Sequence, residues 1–171
     1  MKLPWQPKDY LFSLCMTIGM IITGFIVPRL TPAKLEIMGW APFGALFLTL
    51  GMAKLKHRGS ILLLILPLIL IILPRSILIA GYLSLTVGFT ELVGLRQNGY
   101  RTPRTRAFTI VTFFISSTLL AVISAGLFLG GKWLALLQNP LLVGGMAIGA
   151  AVVGIIGWTI GEMLWKKLAN A

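Results

Sequence analysis

Apolar residues in this chain run in unbroken blocks, and polar residues gather in short intervals between them. A helix at a water-facing surface keeps a polar face, so blocks that are apolar all round predict helices surrounded by lipid or protein. The pattern predicts one helix over roughly 9–27, ended by Pro28, and a second over 35–53 that carries Gly39, Pro42, Gly44 and Gly51. A basic loop from Lys54 to Arg58 closes with Gly59. A second basic loop, Arg96 to Arg106, contains Gly99 and Pro103 and precedes a helix over 107–129. After a short link with Gly130, Gly131, Lys132 and Trp133, the last helix, 140–165, begins at Pro140, a favoured first-turn residue, and ends at Lys166 and Lys167.

The stretch 60–95 admits two readings. A single helix of 36 residues would measure about 54 Å, against a hydrocarbon core of about 30 Å, and would strand Arg75 near the midplane. Two helices, 60–73 and 76–95, turning at Pro74-Arg75-Ser76, avoid both problems, although the first spans only about 21 Å.

Charge placement decides between them. With two helices, Lys2, Lys8, Lys54, Lys56, Arg58, Arg96, Arg101, Arg104, Arg106, Lys166 and Lys167 share one side, leaving Arg29, Lys34, Arg75 and Lys132 on the other. With one helix the split is 6 against 8, with Arg75 between. Basic residues are retained on the cytoplasmic side, so the first arrangement is preferred. The expected fold is an all-α, polytopic membrane bundle in one domain over 1–171, with about six transmembrane helices and both termini cytoplasmic. A re-entrant hairpin at 60–95 gives the same sidedness.

Composition agrees: 57% of residues are hydrophobic and 11% charged, too few charges to solvate the surface of a soluble domain. The net charge of +11 does not point to nucleic acid, because the basic residues sit in clusters between apolar blocks, where they meet anionic lipid headgroups. The lone Cys15 permits no intrachain disulfide and no cysteine-based metal site. Val27-Pro28-Arg29 follows the first block where a cleavage site would need small residues, so this block is expected to be a retained helix.

Few residues suggest chemistry. Of four acidic residues, Asp9, Glu36, Glu91 and Glu162, the last two lie within apolar segments, where carboxylates are functional candidates. Each also lies near a basic cluster, and Glu162 is spaced to reach Lys166 along its own helix. His57 stands between Lys56 and Arg58 without acidic neighbours. No catalytic triad, metal cluster or phosphate-binding loop can be assembled, so neither enzymatic activity nor a cofactor is expected. On the less basic side, Arg75, Trp133, Trp40, Tyr82, Gln138 and Asn139 are candidate ligand-binding residues, combining aromatic walls with a few polar groups; for Trp40 and Trp133 the interfacial belt is the favoured reading and the pocket the competing one. Cys15, Gly19 and Thr23 in the first helix, and Gly157 and Gly161 in the last, form small-residue stripes suited to close helix contact, within the bundle or with a partner.

The layout resembles the substrate-binding S component of energy-coupling factor (ECF) transporters, in particular the Trep_Strep (MptD-like) group. The likeness rests on Gly44-Ala45-Leu46-Phe47-Leu48, then Ala53-Lys54-Leu55-Lys56-His57-Arg58-Gly59 and a Pro-containing apolar run. It continues through Thr90-Glu91-Leu92-Val93-Gly94, a loop with Gly99-Tyr100, and Gly154-Ile155-Ile156-Gly157 leading to Lys166-Lys167. The resemblance implies a cell-membrane subunit that captures a vitamin or other micronutrient and docks on a T-type membrane subunit driven by two ATPases. Many such proteins carry an A-x-x-x-A contact in the first helix. No alanine stands between Asp9 and Val27, so Cys15, Gly19 and Thr23 would have to substitute. Two other readings compete: a scaffolding or assembly protein using the glycine-rich last helix, and a membrane enzyme acting through Glu91 or Glu162.

Overall fold

The computed structural model describes residues 5–32, 35–97 and 99–170. Among the described residues there are seven α-helices and no strand: α1 (Pro7–Leu30), α2 (Glu36–Leu55), α3 (Ser60–Ile72), α4 (Ile77–Arg96), α5 (Pro103–Leu129), α6 (Gly131–Leu137) and α7 (Pro140–Ala169). The protein is an all-α membrane bundle. Helices α1, α2, α4, α5 and α7 are each long and apolar enough to cross a membrane, while α3, with 13 residues, spans about 20 Å. The stretch 60–95 is two helices, with Arg75 and Ser76 amides both bonded to the Ile72 carbonyl at the turn and the Ser76 side chain capping α4 through the Ile79 amide.

Several elements differ from expectation at their ends. Helix α1 continues through Pro28 to Leu30: the proline gives up the bond to the Gly24 carbonyl and its ring crowds that oxygen, and only two helical residues follow it. Helix α5 starts at Pro103, four residues early, where Thr102 caps the Thr105 amide and the proline occupies the first turn. Helix α7 carries Lys166 and Lys167 within its last turns. The link at 130–139 holds the short helix α6, entered at Gly130 and Gly131, both at positive φ.

Contacts between loops fix which helix ends lie together. Trp5 lies against Gly59, the Tyr100 amide bonds the Lys56 carbonyl at 3.1 Å, and Arg106 reaches Glu162 near the end of α7. One end of the bundle therefore gathers the start of α1, the α2–α3 and α4–α5 loops and the end of α7. Of the described basic residues, Lys8, Lys54, Lys56, Arg58, Arg96, Arg101, Arg104, Arg106, Lys166 and Lys167 belong to this end, and Arg29, Arg75 and Lys132 to the other. Lys2 and Lys34 lie outside the described residues.

Helix α2 is central, touching α1, α3, α5 and α7. Its closest neighbour is α7: a side chain at Gly157 would collide with the Pro42 carbonyl, and one at Gly161 would press on Thr49. The small-residue stripe of α7 therefore serves this chain's own packing. Helix α3 is tied to α1 by hydroxyls. Pro67 has no amide to offer the Leu63 carbonyl, and Ser13 Oγ donates to that oxygen at 3.4 Å while Thr17 Oγ1 donates to Leu64 O at 2.7 Å. Outside, α1 shows Leu11, Leu14, Ile18, Ile22 and Ile26, an apolar face fit for lipid.

Candidate ligand cavity

At the less basic end, α1, α2, α3, α4 and α5 leave a cavity of about 310 Å³. That volume falls at the small end of ligand pockets, which run from about 300 to 1,000 Å³. Met20, Gly24 and Phe25 line it from α1, Trp40 and Glu36 from α2, and Leu68 and Ile72 from α3. Arg75 and Ser76 contribute from the turn, Tyr82 and Leu83 from α4, and Ser117 from α5.

The Trp40 indole is held from two sides. Its Nε1 donates to Thr23 Oγ1 at 3.2 Å, and its ring meets Phe114 edge-on, with centroids 6.0 Å apart. Phe114 is itself fixed edge-on by Phe113 at 5.3 Å. Arg75 places its guanidinium 5.4 Å from the centre of the Phe25 ring, a cation–π contact, and remains exposed. Glu36, also exposed, lies on the first turn of α2. Neither forms an ion pair with a described residue. Ser117 is 3% exposed and makes no hydrogen bond to a described residue.

Among the expected ligand-binding residues, Trp40, Arg75 and Tyr82 come together here, while Trp133, Gln138 and Asn139 do not line the cavity. Trp133 packs in a separate cluster with Val122, Leu136 and Val143, with Lys132 Nζ 5.8 Å from its ring centre. Gln138 closes α6, and the Asn139 side chain caps α7 by accepting from the Leu142 amide at 3.2 Å. Glu36 and Ser117 were not anticipated. Glu36 had a signal, as one of four acidic residues and the one nearest the less basic end; Ser117 had none, standing between Ser116 and Thr118.

The expected docking residues also separate. Cys15 is exposed on α1. Gly19 lies beside the Phe47 ring and Thr23 holds Trp40, so both face into the bundle, as do Gly157 and Gly161.

The two intramembrane carboxylates sit at the basic end, in different surroundings from those expected. Glu162 pairs with Arg106 on α5, through Nε–Oε1 at 2.5 Å and Nη2–Oε2 at 2.8 Å, where the spacing along α7 suggested Lys166. Glu91 caps α3: it accepts from the amides of Gly59, Ile61 and Leu62 at 3.0, 2.9 and 3.2 Å and from the Tyr100 hydroxyl at 2.9 Å. Gly59 adopts φ +82 to start that helix. Burial, and then the negative charge of Glu91, push the Tyr100 phenol well above its usual range. A wider depression of about 660 Å³ opens at this end, lined by His57, Arg58, Gln97, Arg101 and neighbouring loop residues. Its lining has no Phe, Tyr or Trp and belongs to the basic loops.

Comparison with family models, with curated proteins and with solved structures finds no match to this chain.

Proposed function

We propose that this protein is the substrate-capture membrane subunit of an ECF-type importer for a vitamin or other micronutrient. The observation that carries the reading is the cavity of about 310 Å³, aromatic-walled and rimmed by Glu36 and Arg75, at the end of the bundle away from the basic loops. The positive-inside rule makes the basic end cytoplasmic, and the cavity then opens toward the exterior of the cell membrane, where a nutrient is met. Both termini are cytoplasmic in this reading. The chain offers no nucleotide-binding motif, so ATP hydrolysis falls to partner subunits, with a T-type membrane subunit between. Cys15 and the exposed apolar residues around it on α1 are the docking face in this proposal, since Gly19 and Thr23 are engaged inside. A scaffolding role through the last helix has less support, because Gly157 and Gly161 already seat α7 on α2.

The test is a mild-detergent pull-down of the tagged protein from native membranes, followed by mass spectrometry of proteins and small molecules. Recovery of a T-type subunit with ATPases, and of a retained small molecule, is expected. An intact, folded protein that brings down neither overturns the reading.

A further inference from the structure

The polar groups of the cavity are graded by depth, and the gradation selects a class of ligand. At the mouth stand Glu36 and Arg75, opposite in sign, on the first turn of α2 and in the α3–α4 turn, without an ion-pair partner among the described residues. A ligand bearing one charge would satisfy one of them and leave the other facing it unpaired. Next come Trp40, held edge-on by Phe114 and tied to Thr23, and Tyr82, which together supply flat walls suited to a ring. Halfway along α5 lies Ser117. Its neighbours Ser116 and Thr118 return their hydroxyls to the carbonyls of Thr112 and Phe114, at 2.7 and 2.8 Å, as serine and threonine commonly do in membrane helices. Ser117, 3% exposed and lining the cavity, makes no such bond. A hydroxyl on an otherwise buried residue that lines an apolar cavity without a protein partner marks the place of a ligand's own polar atom.

We infer that the ligand is a small aromatic zwitterion. Its ammonium group meets Glu36, its carboxylate meets Arg75, its ring lies between Trp40 and Tyr82, and a donor or acceptor on the ring meets the Ser117 hydroxyl. The volume of about 310 Å³ suits one ring or two fused rings. This inference rests on the capture reading and names the chemistry of the same site.

The probes are labelled L-tryptophan and L-tyrosine, bound at equilibrium to the purified full chain in detergent. Tryptamine and indole-3-propionate, and the corresponding tyrosine derivatives, each lack one of the two charges and serve as competitors. At least one zwitterion is expected to bind, at least tenfold more tightly than its amine or its acid. Glu36→Gln should bring the acid level with the zwitterion, Arg75→Gln should bring the amine level, and Ser117→Ala should weaken the zwitterion severalfold. Failure of both zwitterions to bind, or a singly charged analogue binding as tightly, overturns the inference. The pull-down separates this failure from that of the importer reading. A singly charged or uncharged molecule retained together with a T-type subunit overturns the zwitterion and leaves the importer. Zwitterion binding without any energising partner overturns the importer and leaves the ligand class.

Discussion

Arg106 and Glu162, 56 residues apart in sequence, meet side by side in two hydrogen bonds of 2.5 and 2.8 Å, with side chains 5% and 9% exposed. The same guanidinium donates to the carbonyls of Tyr100 and Arg101 at 2.9 and 3.2 Å, so one side chain joins the α4–α5 loop, α5 and α7.

Removing one partner should therefore be far worse than removing both. Glu162→Gln or Arg106→Met alone is expected to cost about 3–5 kcal/mol, because an uncompensated buried charge or an unfilled guanidinium remains. The double substitution Arg106→Met with Glu162→Leu should recover a good part of that loss. Thermal unfolding of the purified variants in one detergent measures it; a double variant less stable than both singles would show that the pair is not the source.

The seam between α1 and α3 makes a sharper prediction through Pro67. Thr17→Val should cost about 0.6–1.7 kcal/mol, the range for interhelical hydrogen bonds in membranes, and Ser13→Ala less, given its longer contact. With Pro67→Leu the Leu63 carbonyl regains a helical amide, and the effect of Ser13→Ala should shrink toward zero. A double-mutant cycle on Ser13 and Pro67 reads the coupling directly; additivity would mean that Ser13 does not serve that carbonyl.

Ligand affinity should follow the indole of Trp40 and the hydroxyl that holds it. Trp40→Ala is expected to weaken binding of the retained ligand more than tenfold, and Thr23→Val by a few fold through loss of orientation. Trp133→Ala should leave affinity unchanged, since that ring packs among Val122, Leu136 and Val143. Equilibrium binding to the three variants checks the order, and equal losses at Trp40 and Trp133 would displace the site.

Tyr100 predicts an alkaline limit. Its folded-state pKa lies above the unfolded value near 10, so the folded protein favours the protonated phenol. The stabilisation is complete below pH 10 and is lost as pH rises beyond it, when the unfolded chain releases a proton that the native phenol retains. Tyr100→Phe should flatten the fall in unfolding temperature between pH 9 and about 11 while lowering stability at pH 7 through the lost bond to Glu91. Parallel alkaline curves for the two proteins would remove Tyr100 as the cause.

How much of this was legible beforehand varies with the physics involved. The helices, and the turn at Pro74-Arg75-Ser76, follow from block length and from the cost of burying Arg75, both properties of the chain against a bilayer. Sequence spacing predicted Lys166 for Glu162, because it sees one helix at a time; Arg106 prevails through packing of α5 on α7. The same limit explains the divided site. Trp40, Arg75 and Tyr82 share a cavity and Trp133 does not, although all could occupy one membrane end, because helix order around the bundle is set by side-chain fit. Ser117 differs from Ser116 and Thr118 only in the direction it faces, which no local pattern carries.

The brevity of α3 reaches beyond the protein into the surrounding lipid. A 13-residue helix of about 20 Å, showing Leu62, Leu66, Leu70 and Ile71 on its outer side, stands in a hydrocarbon layer of about 30 Å. Acyl chains on that flank must shorten or tilt to meet it, at a fraction of a kcal/mol for each ångström of hydrophobic mismatch. The protein should consequently unfold at higher temperature in short-chain than in long-chain phosphatidylcholine bilayers, an order that a reconstitution series can check and that the opposite trend would refute. Lipid thickness then becomes a determinant of where in a heterogeneous membrane the protein gathers.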